Sequence, residues 1–158
     1  MNTQILNPIL PRSLRSAALA LALAFGFTLI PAQAEQLEAG PNKGKLIGVA
    51  PDLAEVLISP EGALTVTFLD ADKRPVAPGS RTASVFAQTE GGRQEVALEA
   101  KGELLVSKEP LPKPEGYTLV IQLRSAADAK PNNTRIKFDM HVCGGCKLAE
   151  YACICAEH

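Results

Sequence analysis

Tryptophan is absent from this 158-residue chain, and aromatic residues make up only 4% of it. Stacking platforms for bases or sugars are therefore not expected. The chain also lacks an excess of either charge, with 16 Lys and Arg against 17 Asp and Glu. With no basic stripe to displace counterions from phosphates, nucleic acid is excluded as a partner. No glycine-rich phosphate loop, no Gly-x-Ser-x-Gly elbow and no His-Glu-x-x-His pair occurs. The carboxylates are scattered, with no pair placed for acid–base work, so the chain does not read as an enzyme. Asp70-Ala71-Asp72 offers too few oxygens for calcium. Long stretches free of Pro and Gly are missing beyond residue 40, because 12 of each punctuate the chain. That excludes long helices. Finally, cysteine is missing from the first 142 residues.

Apolar runs are short as well. The longest, residues 17–30, has about 14 residues, and a membrane-spanning helix needs about 20. Arg12 and Arg15 precede it and Ala32-Gln33-Ala34 follows it. A basic start, a short apolar stretch and a small-x-small end make a secretory signal peptide over residues 1–34. Glu35 then begins the mature chain, which is expected to be periplasmic or secreted. No Cys follows the apolar run to take a lipid, and no second long apolar segment follows. No membrane association is expected once the leader is removed. Without Arg12 and Arg15 the balance is 14 basic to 17 acidic residues.

What remains is a pattern of short strands. Residues 35–44 form a polar entry arm containing Gly40, Pro41 and Gly44. Alternating or β-branched runs then occupy 45–49, 54–58, 64–69, 82–88, 94–99, 103–107, 117–124 and 134–142. Turn residues separate them, such as Pro60-Glu61-Gly62, Glu90-Gly91-Gly92-Arg93 and Lys130-Pro131-Asn132-Asn133. Three runs show one apolar face each. Leu64, Val66 and Phe68 point inward, as do Tyr117, Leu119, Ile121 and Leu123, and then Ile136, Phe138, Met140 and Val142. One apolar face per strand implies antiparallel sheets over one core. Seven to eight such strands predict an all-β, immunoglobulin-like antiparallel sandwich over residues 45–142. A Cys-rich tail follows over residues 143–158. The same alternation places His141 and Cys143 together on the solvent face of the last strand.

The tail carries the chemistry. Cys143, Cys146, Cys153 and Cys155 are all the cysteines of the chain, and His141 and His158 are its only histidines. Cys143-Gly144-Gly145-Cys146 can wrap one ion with two sulfurs, the glycines permitting the tight backbone. Cys153-x-Cys155 supplies a second pair. Four thiolates, or two to three with His141 or His158, suit tetrahedral Zn²⁺. Thiolate-rich ligation also suits Cu(I). The partners implied are a metal ion and, for delivery, an exported or envelope protein.

Two alternatives stand beside metal. Four cysteines in an exported chain are the usual material of two disulfides. If 146–153 were helical, Cys146 and Cys153 would lie about 10 Å apart, beyond the roughly 7 Å reach of a bridge. Pairing therefore needs the tail to fold back, as would a metal site. A thiol–disulfide oxidoreductase is the other alternative. Its Cys-x-x-Cys motif normally caps a helix after a strand, however, and here it follows the last strand of a β domain.

Two stretches resemble known proteins. Gly40-Pro41-Asn42-Lys43-Gly44-Lys45-Leu46, followed by Leu64-Thr65-Val66-Thr67-Phe68-Leu69-Asp70, resembles the opening of small exported bacterial β-domains associated with heavy-metal efflux. Lys43 and Lys45 stand where Gly and Arg are more usual there. The tail, with its Cys-x-x-Cys and Glu150-Tyr151-Ala152-Cys153-Ile154-Cys155, is similar to the ending of some secreted proteins of similar length. The resemblance implies metal handling. The His-rich or Met-rich segment common in periplasmic copper carriers is missing.

Overall fold

The computed structural model describes residues 37–48 and 50–155. The leader at 1–34 and the terminal His158 lie outside the described residues. Among the described residues there are nine strands: β1 Lys45–Ile47, β2 Ala54–Ile58, β3 Leu64–Phe68, β4 Thr82–Thr89, β5 Gly92–Val96, β6 Leu98–Lys101, β7 Leu104–Ser107, β8 Thr118–Arg124 and β9 Asn132–Lys137. One 3₁₀ turn, Glu150–Ala152, follows them. No helix of the described residues is long and apolar enough to cross a membrane.

The strands form two antiparallel sheets, ordered β1-β2-β3-β7-β6 and β5-β4-β8-β9. Leaving out β1, the order β2-β3-β7-β6 in one sheet and β5-β4-β8-β9 in the other is that of immunoglobulin-like sandwiches. The ninth strand arises where one was expected. The run 94–99 divides at Ala97: β5 pairs with β4, and β6 crosses to the other sheet and pairs with β7. A run of alternating residues does not reveal that its two halves belong to different sheets.

Alternation builds the core. Ala54, Val56 and Ile58 of β2, Leu64, Val66 and Phe68 of β3, and Leu119, Ile121 and Leu123 of β8 are all buried in one cluster. Ile136 and Phe138 join from β9 and just past its end, as expected. Arg81 lies over the Phe68 ring and closes the edge of this core. Thr67, between the inward-facing Val66 and Phe68, is buried as well.

Glu55 explains what the entry arm does. It lies on the outer face of β2, yet it is only 1% exposed. The arm turns back over it through a bridge between Ala39 and Lys45. The Glu55 carboxylate accepts hydrogen bonds from the Asn42 N–H, the Asn42 side-chain amide and the buried Gly44 N–H, at 2.8–2.9 Å. The approach needs glycine, since a Cβ on Gly40 would lie 2.3 Å from Glu55 Oε1. Removing the carboxylate leaves these donors unpaired. Glu55→Ala is expected to lower stability by about 1–3 kcal/mol, read from the midpoint of urea unfolding against the unaltered chain.

Candidate metal centre

The register of β9 ends where β8 begins. Lys137 pairs with Thr118, the first residue of β8, and the Phe138 N–H donates to the Tyr117 carbonyl. Beyond Phe138, whose carbonyl accepts the Gly116 N–H, no other strand of the described residues pairs with the chain. It pairs instead with its own tail. Tyr151 N–H donates to Asp139 O, Glu150 N–H to His141 O, and Cys143 N–H to Leu148 O, with a bridge between Val142 and Ala149.

This change of partner resets the side-chain alternation. Val142, expected in the core, is 68% exposed. Cys143, expected on the solvent face beside His141, is 1% exposed. Residues 138–142 of the expected last strand are therefore not a continuation of β9.

Between the two arms of this return, Cys143-Gly144-Gly145-Cys146 makes a tight turn. Lys147 N–H donates to the Cys143 carbonyl at 3.1 Å, and Lys147 holds a left-handed φ of 64°. Gly145 sits against the sulfurs. A Cβ there would lie 2.8 Å from Cys155 Sγ and 3.9 Å from Cys143 Sγ. The second pair of cysteines is held by the core itself. Tyr151 and Ala152 are buried members of the core cluster. The Tyr151 hydroxyl accepts the Ile58 N–H at 2.8 Å, at the end of β2. Lys45 Nζ donates to the Cys153 carbonyl at 3.3 Å, so β1 also supports the tail.

The result is a convergence of four sulfurs. Cys143, Cys146, Cys153 and Cys155 place their Sγ atoms all within 4.8 Å of one another. Three separations are 3.8 Å for Cys143–Cys155, 3.6 Å for Cys146–Cys153 and 3.3 Å for Cys143–Cys153. A tetrahedron of sulfurs about 2.3 Å from a zinc ion has edges of about 3.8 Å. None of these three separations is the roughly 2.05 Å of a disulfide bond. Cys143 and Cys153 are buried, while Cys146 and Cys155 are half-buried.

The four sulfurs differ in their electrostatics. The Ile154 and Leu148 N–H groups donate to the Cys146 sulfur and hold its pKa below the ordinary thiol value. The Cys155 N–H pulls Cys153 the same way, but burial and the neighbouring thiols outweigh it and push Cys153 up to about 12. Cys155 is favoured by Cys153 but raised overall by Cys143 and Cys146. The cluster favours one thiolate and resists several, because like charges at these distances repel. A cation removes that conflict.

His141 does not join the sulfurs. It belongs to a separate exposed group with Glu115 and Asp139, whose candidate ligand atoms lie within 4.8 Å of one another. Its Nδ1 meets Asp139 Oδ1 at 2.7 Å, and this contact raises the His141 pKa. Glu115 accepts the Met140 N–H at 2.8 Å. Tyr151, which organises the tail, had a faint signal in the sequence: it is the lone aromatic of residues 143–158 and stands between the two cysteine pairs. No family model, no curated protein and no solved structure matches this chain.

Two outcomes check this anatomy. Tyr151→Phe strands the Ile58 N–H and is expected to cost about 1–3 kcal/mol in thermal or urea unfolding while all four thiols remain able to bind metal. Gly145→Ala drives Cys155 Sγ out of place and is expected to weaken metal affinity about tenfold or more, measured by competition with a chromogenic chelator.

Proposed function

We propose that this chain is an exported protein that binds one Zn²⁺ through Cys143, Cys146, Cys153 and Cys155, holding the metal for sequestration or delivery. The observation that carries the reading is the clustering of the four sulfurs within 4.8 Å. Tetrahedral sulfur ligation favours zinc, and Cu(I) is the soft competitor for the same thiolates. With four protein ligands the site is closed, which suits binding rather than metal-assisted catalysis. Metal also ties Cys143 and Cys146 to Cys153 and Cys155, so it closes the return of the tail on itself. Export rests on the leader pattern at 1–34, and the resemblance to β-domains of heavy-metal efflux points the same way. A protein that delivers metal there needs an exported or envelope protein to receive it.

Metal content and intact mass, measured on one sample purified without reducing agent, test the proposal. One zinc per chain and four thiols that alkylate only after chelation are expected. A metal-free chain about four protons lighter, with no alkylatable thiol, would mean two disulfides instead. Zinc displaces thiol protons on binding, so affinity is expected to fall as pH falls and to rise above neutrality. Isothermal titration in buffers of different ionisation enthalpy measures the protons released. A pH-independent affinity would contradict thiolate ligation.

A further inference from the structure

Building on the tetrathiolate reading, we propose that the centre releases its metal on oxidation: a peroxide converts the four thiolates to the disulfides Cys143–Cys155 and Cys146–Cys153 and expels Zn²⁺ while the tail stays docked.

The pairing follows from access at distances a bridge can close, since the shortest separation, 3.3 Å between Cys143 and Cys153, joins the two buried sulfurs. Cys143 and Cys155 sulfurs are 3.8 Å apart, and those of Cys146 and Cys153 are 3.6 Å apart. A covalent bridge needs about 2.05 Å. Closing both is a matter of side-chain rotation and small backbone adjustment, because the tail has already folded back. Each pair also joins one half-buried sulfur, Cys155 or Cys146, to one buried sulfur, Cys143 or Cys153. The more accessible sulfur meets the oxidant, and the buried one lies beside it to complete the bridge. The other cross pairing, Cys143 with Cys153, would join the two buried sulfurs and leave the two accessible ones together.

The chemistry balances with two peroxide molecules per centre. In each pair the accessible thiolate attacks a peroxide oxygen. The O–O bond breaks, a sulfenic acid forms and hydroxide leaves. The buried thiolate then attacks the sulfenic sulfur, the S–O bond breaks and a second hydroxide leaves with the disulfide formed. Four thiolates lose four electrons, two peroxides gain them, and the four hydroxides take up protons from the buffer acid to become water. Disulfide sulfur carries no charge, so the ion loses its ligands. Docking does not depend on the metal, since Tyr151 and Ala152 are packed in the core and the Tyr151 hydroxyl holds the Ile58 N–H. Oxidation therefore exchanges one staple for another.

Hydrogen peroxide titrated into the purified chain loaded with one equivalent of Zn²⁺ tests this. A chromogenic chelator reads free zinc, peptide mapping reads the bridges, and near-ultraviolet circular dichroism of the tyrosines reads docking. Zinc release in step with two bridges, Cys143–Cys155 and Cys146–Cys153, is expected, with tyrosine signals kept and zinc regained after reduction. In Cys153→Ser, Cys146 loses its partner, and a dimedone-trapped sulfenic acid at Cys146 is expected. Zinc retained in a large excess of peroxide, sulfinic acid in place of bridges, the other pairing, or crosslinks between chains would overturn the proposal. A reduced chain that takes up no Zn²⁺ before peroxide is added would overturn the tetrathiolate reading itself.

Discussion

The burial of Tyr151 in the sandwich core, where its hydroxyl also accepts the Ile58 N–H, is the constraint on which the C-terminal site depends. It fixes residues 150–152 against the end of β2. Cys153 and Cys155 are thereby delivered to the same place as Cys143 and Cys146, which leave the end of β9. The backbone bonds from Tyr151 to Asp139 and from Glu150 to His141 close the return. A tail without this anchor would carry the same four cysteines with no reason to gather them. The sandwich is thus a platform that brings two separated cysteine pairs to one point.

Much of this was legible in the residues. The alternation of Leu64, Val66 and Phe68, and of Leu119, Ile121 and Leu123, announces one buried face per strand, and those residues line the core. The cysteine spacing announced a gathered site, and the requirement that the tail fold back follows from helix geometry alone. Other features were hidden because they are tertiary. Cys143 and Val142 exchange faces because β9 runs out of partner at Thr118, and no local pattern records where a neighbouring strand begins. Glu55 looks like an ordinary solvated acid until the arm from Gly40 to Gly44 is seen to lie over it. His141, adjacent in sequence to the cluster, turns to Asp139 because the chain bends at that point.

Electrostatics gives the gathered sulfurs their meaning. Backbone N–H groups aim at Cys146 and favour its thiolate, while Cys153, crowded by other thiols, is pushed up to about 12. Packing sulfurs this closely builds up repulsion as they ionise, which a bound cation or a covalent bond between them relieves. Metal coordination and disulfide formation are in this sense two answers to one crowded arrangement. The proposed zinc centre is the reduced answer, in which all four ligands are used and the tail is tied on both sides of the turn at Gly144-Gly145.

The most direct test of the central claim is the zinc K-edge X-ray absorption spectrum of the metal-loaded chain. The account expects a shell of four sulfurs at about 2.3 Å and no nitrogen or oxygen in the first coordination sphere. A mixed shell with nitrogen or oxygen ligands, or fewer than four sulfurs, would contradict it.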